Sequence, residues 1–176
     1  MTLTRLLPTL RRSIPDPIAP EHWPAGTRVT TTDVIVGGFS MLRLAERDGT
    51  PFAHLDPAPA RTGGVGRTRH LGVVLAAVRA ISTVGGRREA ELDAGFGPHR
   101  PDWAEARLLG RASTARVAPV SVRFAAGGCL ALAPLELPGD LAVGDLIAVP
   151  IEAHGITISV AGADVRTRPL KPALNA

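Results

Sequence analysis

The chain has 176 residues, of which 45% are hydrophobic and 20% are charged. This size and composition are typical of one soluble globular domain, and they exclude a collagen-like, coiled-coil or wholly disordered chain. No uninterrupted apolar stretch approaches the ~20 residues that a membrane-spanning helix needs.

The charge pattern argues against nucleic-acid binding. The formal net charge is +4, the basic residues are arginines apart from Lys171, and no basic run exceeds two residues. Aromatic residues make up only 3% of the chain, so it has neither a basic stripe nor a set of stacking platforms. The single cysteine, Cys129, cannot form an internal disulfide, and the N-terminus lacks the apolar core of a secretory signal. We therefore expect a cytoplasmic protein.

Residues 1–27 contain five prolines and are predicted to form an extended arm with, at most, a short helical turn or two around Thr4–Ser13. The β-branched stretch Arg28–Val36 predicts a strand that ends at a glycine pair. Ser40 is a suitable N-cap for a short helix over Met41–Arg47, and Pro51–Asp56 is expected to be extended. By composition, residues 57–70 are a linker.

From Leu71 onward the pattern is rich in short strands separated by glycine, proline and aspartate turns, which is typical of a β-sandwich or a small barrel. The first of these strands is apolar enough to be buried, although its length and alanines also allow a helix. The predicted strands are Leu71–Ser82, Arg88–Leu92, Glu105–Ala112, Val117–Phe124, Leu130–Leu135, Leu146–Val149 and Ile156–Val160. We place them in one domain over residues 28–168, followed by a frayed tail over residues 169–176.

Three segments carry a family resemblance. They are Gly37–Pro57 (GGFSMLRLAERDGTPFAHLDP), Arg88–Pro101 (REAELDAGFGPHRP) and Leu137–Pro150 (LPGDLAVGDLIAVP). The first has a glycine pair, a short helix and Gly49-Thr50-Pro51; the second has Asp93 with an Arg-Pro pair seven residues later. In this order they resemble the β-domain of fold-type-III pyridoxal-phosphate decarboxylases, the family of diaminopimelate and ornithine decarboxylases. The resemblance implies a small, partly open Greek-key β-barrel with one short helix, in which the first strand pairs with strands of the C-terminal half.

The same resemblance shows what this chain lacks. In the family a (β/α)8 barrel of about 250 residues lies between the first two segments and carries the lysine that binds the cofactor. Here about 14 residues of linker stand in that place, and Lys171 is far from any matching motif. The Glu-Ser-Gly-Asp that follows the family's cysteine is absent after Cys129, and the Gly-Ala-Tyr motif becomes Glu152-Ala153-His154-Gly155. We expect no pyridoxal-phosphate cofactor and no catalysis by this chain alone.

The sequence therefore favours a non-catalytic decarboxylase-like module that binds or assembles, as a homodimer or with a barrel-containing pyridoxal enzyme. The alternatives are a regulatory or split subunit of such an enzyme, and a small-molecule-binding β-barrel. The residues that we single out as ligand or partner contacts are Asp93, His99, Arg100, Cys129 and His154. Of these, Asp93, His99 and Arg100 are expected to cluster at a strand end. No metal site is expected, because the five histidines show no ligand spacing.

Overall fold

The structure, a computed structural model, describes residues 2–59, 69–96, 99–125 and 134–154. The helices are α1 (Leu3–Leu6) and α2 (Met41–Asp48), with 3₁₀ turns at Pro8–Arg12, Pro20–His22 and Trp103–Glu105. The strands are β1 (Arg28–Val29), β2 (Val34–Val36), β3 (Phe39–Ser40), β4 (Phe52–Pro59), β5 (Arg69–Val84), β6 (Arg87–Leu92), β7 (Arg100–Pro101), β8 (Arg107–Leu109), β9 (Val117–Phe124), β10 (Leu135–Pro138) and β11 (Leu146–His154).

The main sheet has eight strands in the order β10-β9-β6-β5-β11-β7, with β4 also paired to β5 and β8 also paired to β11. All pairs in it are antiparallel except β6 with β9. The sheet curls because the 16-residue β5 exchanges partners along its length. Its first half lies between β11 and β4, and its second half pairs with β6 after a register shift between Val78 and Ala80. The predicted class, mainly β with a partly open barrel, is confirmed.

Strand β5 separates two hydrophobic cores. Val74, Ala76 and Val78 face a larger cluster with β6, β9 and β11, whereas Val73 and Leu75 face a second cluster with α2 and Trp23. Both faces of the strand are therefore covered, and its side chains form a continuous apolar run rather than an alternating one. This explains why the sequence pattern allowed a helix at a segment that is a buried strand.

Among the described residues, the first strand does not pair with strands of the C-terminal half as predicted. The stretch Arg28–Val36 is divided into β1 and β2, which pair with each other, and β2 then pairs with β3 in a separate three-stranded sheet. The division occurs because the backbone N–H of Thr30 bonds the carbonyl of Asp33 at 2.8 Å, closing a turn inside the stretch. The hairpin meets the C-terminal half by side-chain packing and by a hydrogen bond from the Gly110 N–H to the Thr32 carbonyl (2.8 Å).

The other elements agree with the sequence to differing degrees. Helix α2 is confirmed, with the Ser40 hydroxyl accepting from the Arg43 N–H at 3.1 Å. Strand β9 matches its prediction, and β11 continues past the predicted end to His154. The strand predicted over Glu105–Ala112 is confined to β8, because Trp103–Glu105 forms a 3₁₀ turn. The strand predicted at Ile156–Val160 and the tail over residues 169–176 lie outside the described residues, as does most of the strand predicted at Leu130–Leu135.

The N-terminal segment lies against the barrel. Trp23 is 1% exposed and belongs to the second core cluster, and Thr4 and Arg11 are also buried. Among the residues that the structure describes, no helix has the length and apolar character needed to cross a membrane. The N-terminal segment, residues 2–27, is called the arm below.

Candidate functional site

Asp93, the first of the sequence-predicted contacts, follows the last residue of β6 and is buried. Its carboxylate accepts hydrogen bonds from the Ala77 N–H (2.8 Å), the Thr50 hydroxyl (2.6 Å) and the Arg79 guanidinium (2.9 Å). These bonds tie the start of β4 to β5 and β6. Asp93 therefore serves as a local anchor of the sheet, with its described hydrogen bonds going to groups other than His99 and Arg100.

The other predicted contacts are on or next to β7 and β11, apart from Cys129. Arg100 is exposed in β7, where it stands opposite Glu152 of β11, and His99 just before it is buried. His154 is the last residue of β11 and pairs with Arg69 in the backbone register. Cys129 lies outside the described residues. The grouping of these five residues in one site therefore stays a prediction.

A different region has the geometry of a binding site. A cavity of about 190 Å³ lies where the arm, the β1–β2 hairpin and one side of the barrel meet. This is well above the roughly 10–15 Å³ that one water needs. Its charged lining residues are Arg5, Arg11, Asp16, Asp33, Glu105, Arg107, Arg111 and Glu136.

Arg11 forms the arm's side of this cavity. The residue is 8% exposed, and its Nε lies 2.9 Å from Asp16 Oδ2. One terminal nitrogen of the same guanidinium donates to the Ala115 carbonyl at 3.1 Å. Two of the buried polar atoms here, Arg11 Nε and Asp16 Oδ1, have no partner in hydrogen-bonding geometry. Because Asp16 and the Ala115 carbonyl hold the Arg11 guanidinium on two sides, Arg11 places a fixed positive charge on this wall of the cavity.

Glu105 and Arg107 form the barrel's side. Glu105 Oε2 accepts from the Ala19 N–H (3.1 Å), the Trp23 indole N–H (3.0 Å) and Arg107 (3.2 Å). Arg107 also donates to the Pro17 carbonyl at 2.7 Å. The Glu105 carboxylate therefore fastens the arm to the barrel at the Ala19 backbone and the Trp23 side chain, and Arg107 adds the Pro17 backbone.

The electrostatics of Arg107 reflect crowding of like charges. Burial lowers the pKa of the Arg107 guanidinium, and Arg11 and Arg5 lower it further, while Glu105 and Asp16 raise it. The Arg107 Nε is buried without a hydrogen-bond partner. The arginines on this wall are thus held close enough to repel one another.

Arg111 closes the far end of the cavity and is neutralised there. Its guanidinium donates to Asp145 at 2.6 Å and 2.8 Å and to Asp140 at 3.0 Å, and Ser113 donates to Asp140 at 2.6 Å. The hydrogen bond to Asp145 raises the pKa of Arg111 against the effect of burial. Burial opposes ionisation of Asp140, but the bonds from Ser113 and Arg111 outweigh it and lower the pKa of this carboxyl. This cluster holds together the turn before β11.

The arrangement suits binding of a small polar molecule. Within residues 2–59, 69–96, 99–125 and 134–154 there is no group of three or more histidine, cysteine or acidic side chains placed to hold a metal ion. Covalent attachment of pyridoxal phosphate requires a lysine, and Lys171, the one lysine of the sequence, lies outside the described residues. Sequence analysis missed Arg11, Glu105 and Arg107 because no local motif links an arm to a turn about 90 residues away in the chain.

Comparison with known proteins gives a partial structural match. No protein-family model matches the chain, and no curated protein matches it. Two solved structures of the arginine decarboxylase of Paramecium bursaria Chlorella virus, one bound to agmatine, are similar to part of it. Each match has 16% identity and a TM-score of 0.35, and covers 45% of this chain and 23% of that chain. This chain thus matches under a quarter of that enzyme's length. The fold assignment given above depends on the strand pairing of this chain and not on the match.

Proposed function

We propose that this chain is a decarboxylase-like β-domain that acts as a binding module, with a small-molecule site between the arm and the barrel. The observation that carries the proposal is the cavity of about 190 Å³ lined by charged side chains, of which Arg11 is buried. Cavities with a few convergent polar groups are the usual sites for small ligands. The arm is held over it by the Glu105 and Arg107 contacts.

The family part of the proposal has its own support. Thr50 belongs to the first resembling segment and Asp93 to the second, and their side chains are joined by a hydrogen bond of 2.6 Å. Motifs that lie far apart in sequence but touch in the fold are expected if they descend together from one parent domain. We also propose that this chain does not catalyse pyridoxal chemistry by itself. Pyridoxal enzymes need a lysine that forms a Schiff base with the cofactor, and the three resembling segments contain no lysine.

A ligand screen tests the binding function. The indole N–H of Trp23 bonds Glu105 at the cavity, so its NMR resonance reports on ligands there. We expect members of a set of small polar metabolites to shift this resonance. If no compound moves it at millimolar concentration, the cavity is not a ligand site.

A second experiment tests the absence of catalysis. Reduction with borohydride in the presence of pyridoxal phosphate is expected to label only Lys171 and the N-terminal amine. In Lys171→Ala, the N-terminal amine should be the only labelled group. Carbon dioxide release from a mixture of basic amino acids and diaminopimelate, with pyridoxal phosphate added, would contradict the proposal.

An assembly role is the second candidate, favoured by the apolar surface of the arm. Four of the six large hydrophobic side chains that are exposed among the described residues lie there, namely Leu3, Leu6, Leu7 and Ile14. Exposed apolar groups of this kind mark interaction surfaces, and a two-fold homodimer covers both copies at once. Sedimentation should then give a dimer for the natural chain and a monomer for Leu6→Ser/Leu7→Ser. A monomeric natural chain that binds a barrel-bearing pyridoxal enzyme would instead make it a regulatory subunit.

A further inference from the structure

We propose that the second half of β5 is an interface with a second copy of this chain, formed by edge-to-edge strand pairing across a two-fold axis at Ser82. The pairing would join the main sheets of the two copies through their backbones. This inference is independent of the proposed ligand site, and it places the assembly contact on a surface other than the arm. It follows from an unpaired strand edge and from two exposed valines beside that edge.

Strand β5 has strands on both of its edges only over its first half, where β4 lies on one edge and β11 on the other. At the end of this half, the Ala77 carbonyl accepts from the Asp93 N–H (3.1 Å) on the β6 edge. Val78 bonds the turn before β11 on the opposite edge, at the Asp145 carbonyl and the Gly144 N–H (both 2.9 Å). Beyond Val78, no strand of the described residues continues the β11 side, whereas β6 continues along the other edge.

The unpaired β11 side of residues 80–84, called the open edge below, is regular and uncharged. Pairing with β6 is continuous from Ala80 to Val84, after the register shift that follows Val78. The sequence there, Ala-Ile-Ser-Thr-Val, has no charged residue and no proline, which are devices that proteins use to protect edge strands. All of these residues except Ile81 are exposed. The open edge is therefore available to another strand.

The hairpin determines which backbone groups point outward from the open edge. The turn Gly85–Gly86 has two residues, so Val84 and Arg87 on either side of it form a hydrogen-bonded pair. Hydrogen-bonded and non-hydrogen-bonded pairs alternate along antiparallel strands. The N–H and C=O groups of Ile81 and Thr83 are therefore directed away from β6, toward the open edge.

Two copies of the open edge are complementary to each other. When antiparallel copies are centred on Ser82, Ile81 of each copy stands opposite the partner's Thr83, and both residues present outward N–H and C=O groups. The two pairs can then form four backbone hydrogen bonds. A residue at a two-fold axis meets its own copy, and like charges opposite each other are destabilising. An uncharged edge avoids that repulsion.

The exposed valines favour a second copy as the occupant. Among the described residues outside the arm, the large hydrophobic side chains that are exposed are Val84 (56%) and Val143 (64%). They flank the open edge, because Val84 ends β5 and Val143 lies in the turn whose Gly144 bonds Val78. Antiparallel pairing at Ser82 brings Val84 of each copy toward the partner's Val143. One two-fold contact thus covers both valines in both copies.

Charge substitution at the two-fold axis tests the pairing. Sedimentation of the natural chain should show a dimer that forms with increasing concentration. Ser82→Lys and Ser82→Glu should each weaken the dimer about fivefold, because like charges then stand directly opposite each other. An equimolar mixture of the two variants should restore the affinity to within about twofold of the natural chain, since each lysine then faces a glutamate.

Controls separate the open edge from the arm. Ser13→Lys adds the same charge at an exposed serine of the arm and should leave the dimer unchanged, as should Leu6→Ser/Leu7→Ser. Hydrogen exchange gives a second readout: the N–H groups of Ile81 and Thr83 should exchange more slowly in the natural dimer than in Ser82→Lys. Circular dichroism checks that each variant remains folded.

Three results would overturn the inference. The first is a natural chain that stays a monomer at millimolar concentration. The second is a dimer that Ser82→Lys and Ser13→Lys affect alike, or that the lysine and glutamate variants do not restore when mixed. The third is a dimer that is lost in Leu6→Ser/Leu7→Ser and kept in Ser82→Lys, which would assign the contact to the arm. The proposed ligand site is tested separately by the Trp23 resonance.

Discussion

Glu105 is the side chain on which the attachment of the arm depends most. Its Oε2 is the common acceptor for Ala19, Trp23 and Arg107, and the Glu105 and Arg107 side chains are only 15% and 17% exposed. Removing one partner of a buried ion pair costs about 3–5 kcal/mol. In Glu105→Gln an amide oxygen can still accept two neutral hydrogen bonds, so we expect a loss of about 2 kcal/mol in the free energy of unfolding.

The assay is urea denaturation followed by circular dichroism, with trypsin cleavage in the arm as a second readout. Loss of the contact should lower the urea midpoint at unchanged slope, expose Trp23 and speed cleavage at Arg11. Glu46→Gln is the control, because Glu46 is exposed on α2 and should change stability by less than about 0.5 kcal/mol. Equal midpoints and equal cleavage rates for the two variants would refute the view that Glu105 fastens the arm.

Three further predictions concern the barrel. Gly72→Ala should cost about 1–3 kcal/mol, because its Cβ would lie 2.7 Å from the His54 carbonyl oxygen; a midpoint equal to that of the natural chain would contradict this close contact. Thr50→Val should cost about 1 kcal/mol by removing the hydrogen bond to Asp93, and a double-mutant cycle with Asp93→Asn should show coupling between the two. Burial lowers the pKa of His54 from its ordinary value of 6.5, and Asp56 opposes this shift. Just below pH 6.5, His54 is therefore protonated in the unfolded chain but still neutral in the folded chain. The free energy of unfolding should therefore be highest above pH 6.5 and decrease as the pH drops from 6.5 toward the pKa of His54 in the folded chain. The decrease should be smaller in His54→Gln.

Local signals in the sequence were sufficient for the elements that are stabilised locally. Helix α2 is marked by an N-cap serine, by an apolar stripe and by Gly49 after its last turn, where φ is 79°, a value that glycine adopts readily. The fold class also followed from the sequence, because short strands and turn residues alternate along the chain. The sequence did not determine which strands pair. The hairpin of β1 and β2 forms because a turn closes within one β-branched stretch, and nothing in the composition of that stretch separates it from a single strand.

The cavity could be decided only by the tertiary structure. Arg11, Glu105 and Arg107 are ordinary surface residue types, and they become a site because the arm folds back over β8 and buries Trp23. Glu105 and Arg107 form hydrogen bonds with arm residues that lie about 90 positions away along the chain. The sequence by itself determined a mainly β domain. Burial and long-range contacts, which periodicity cannot encode, determined where its charges meet.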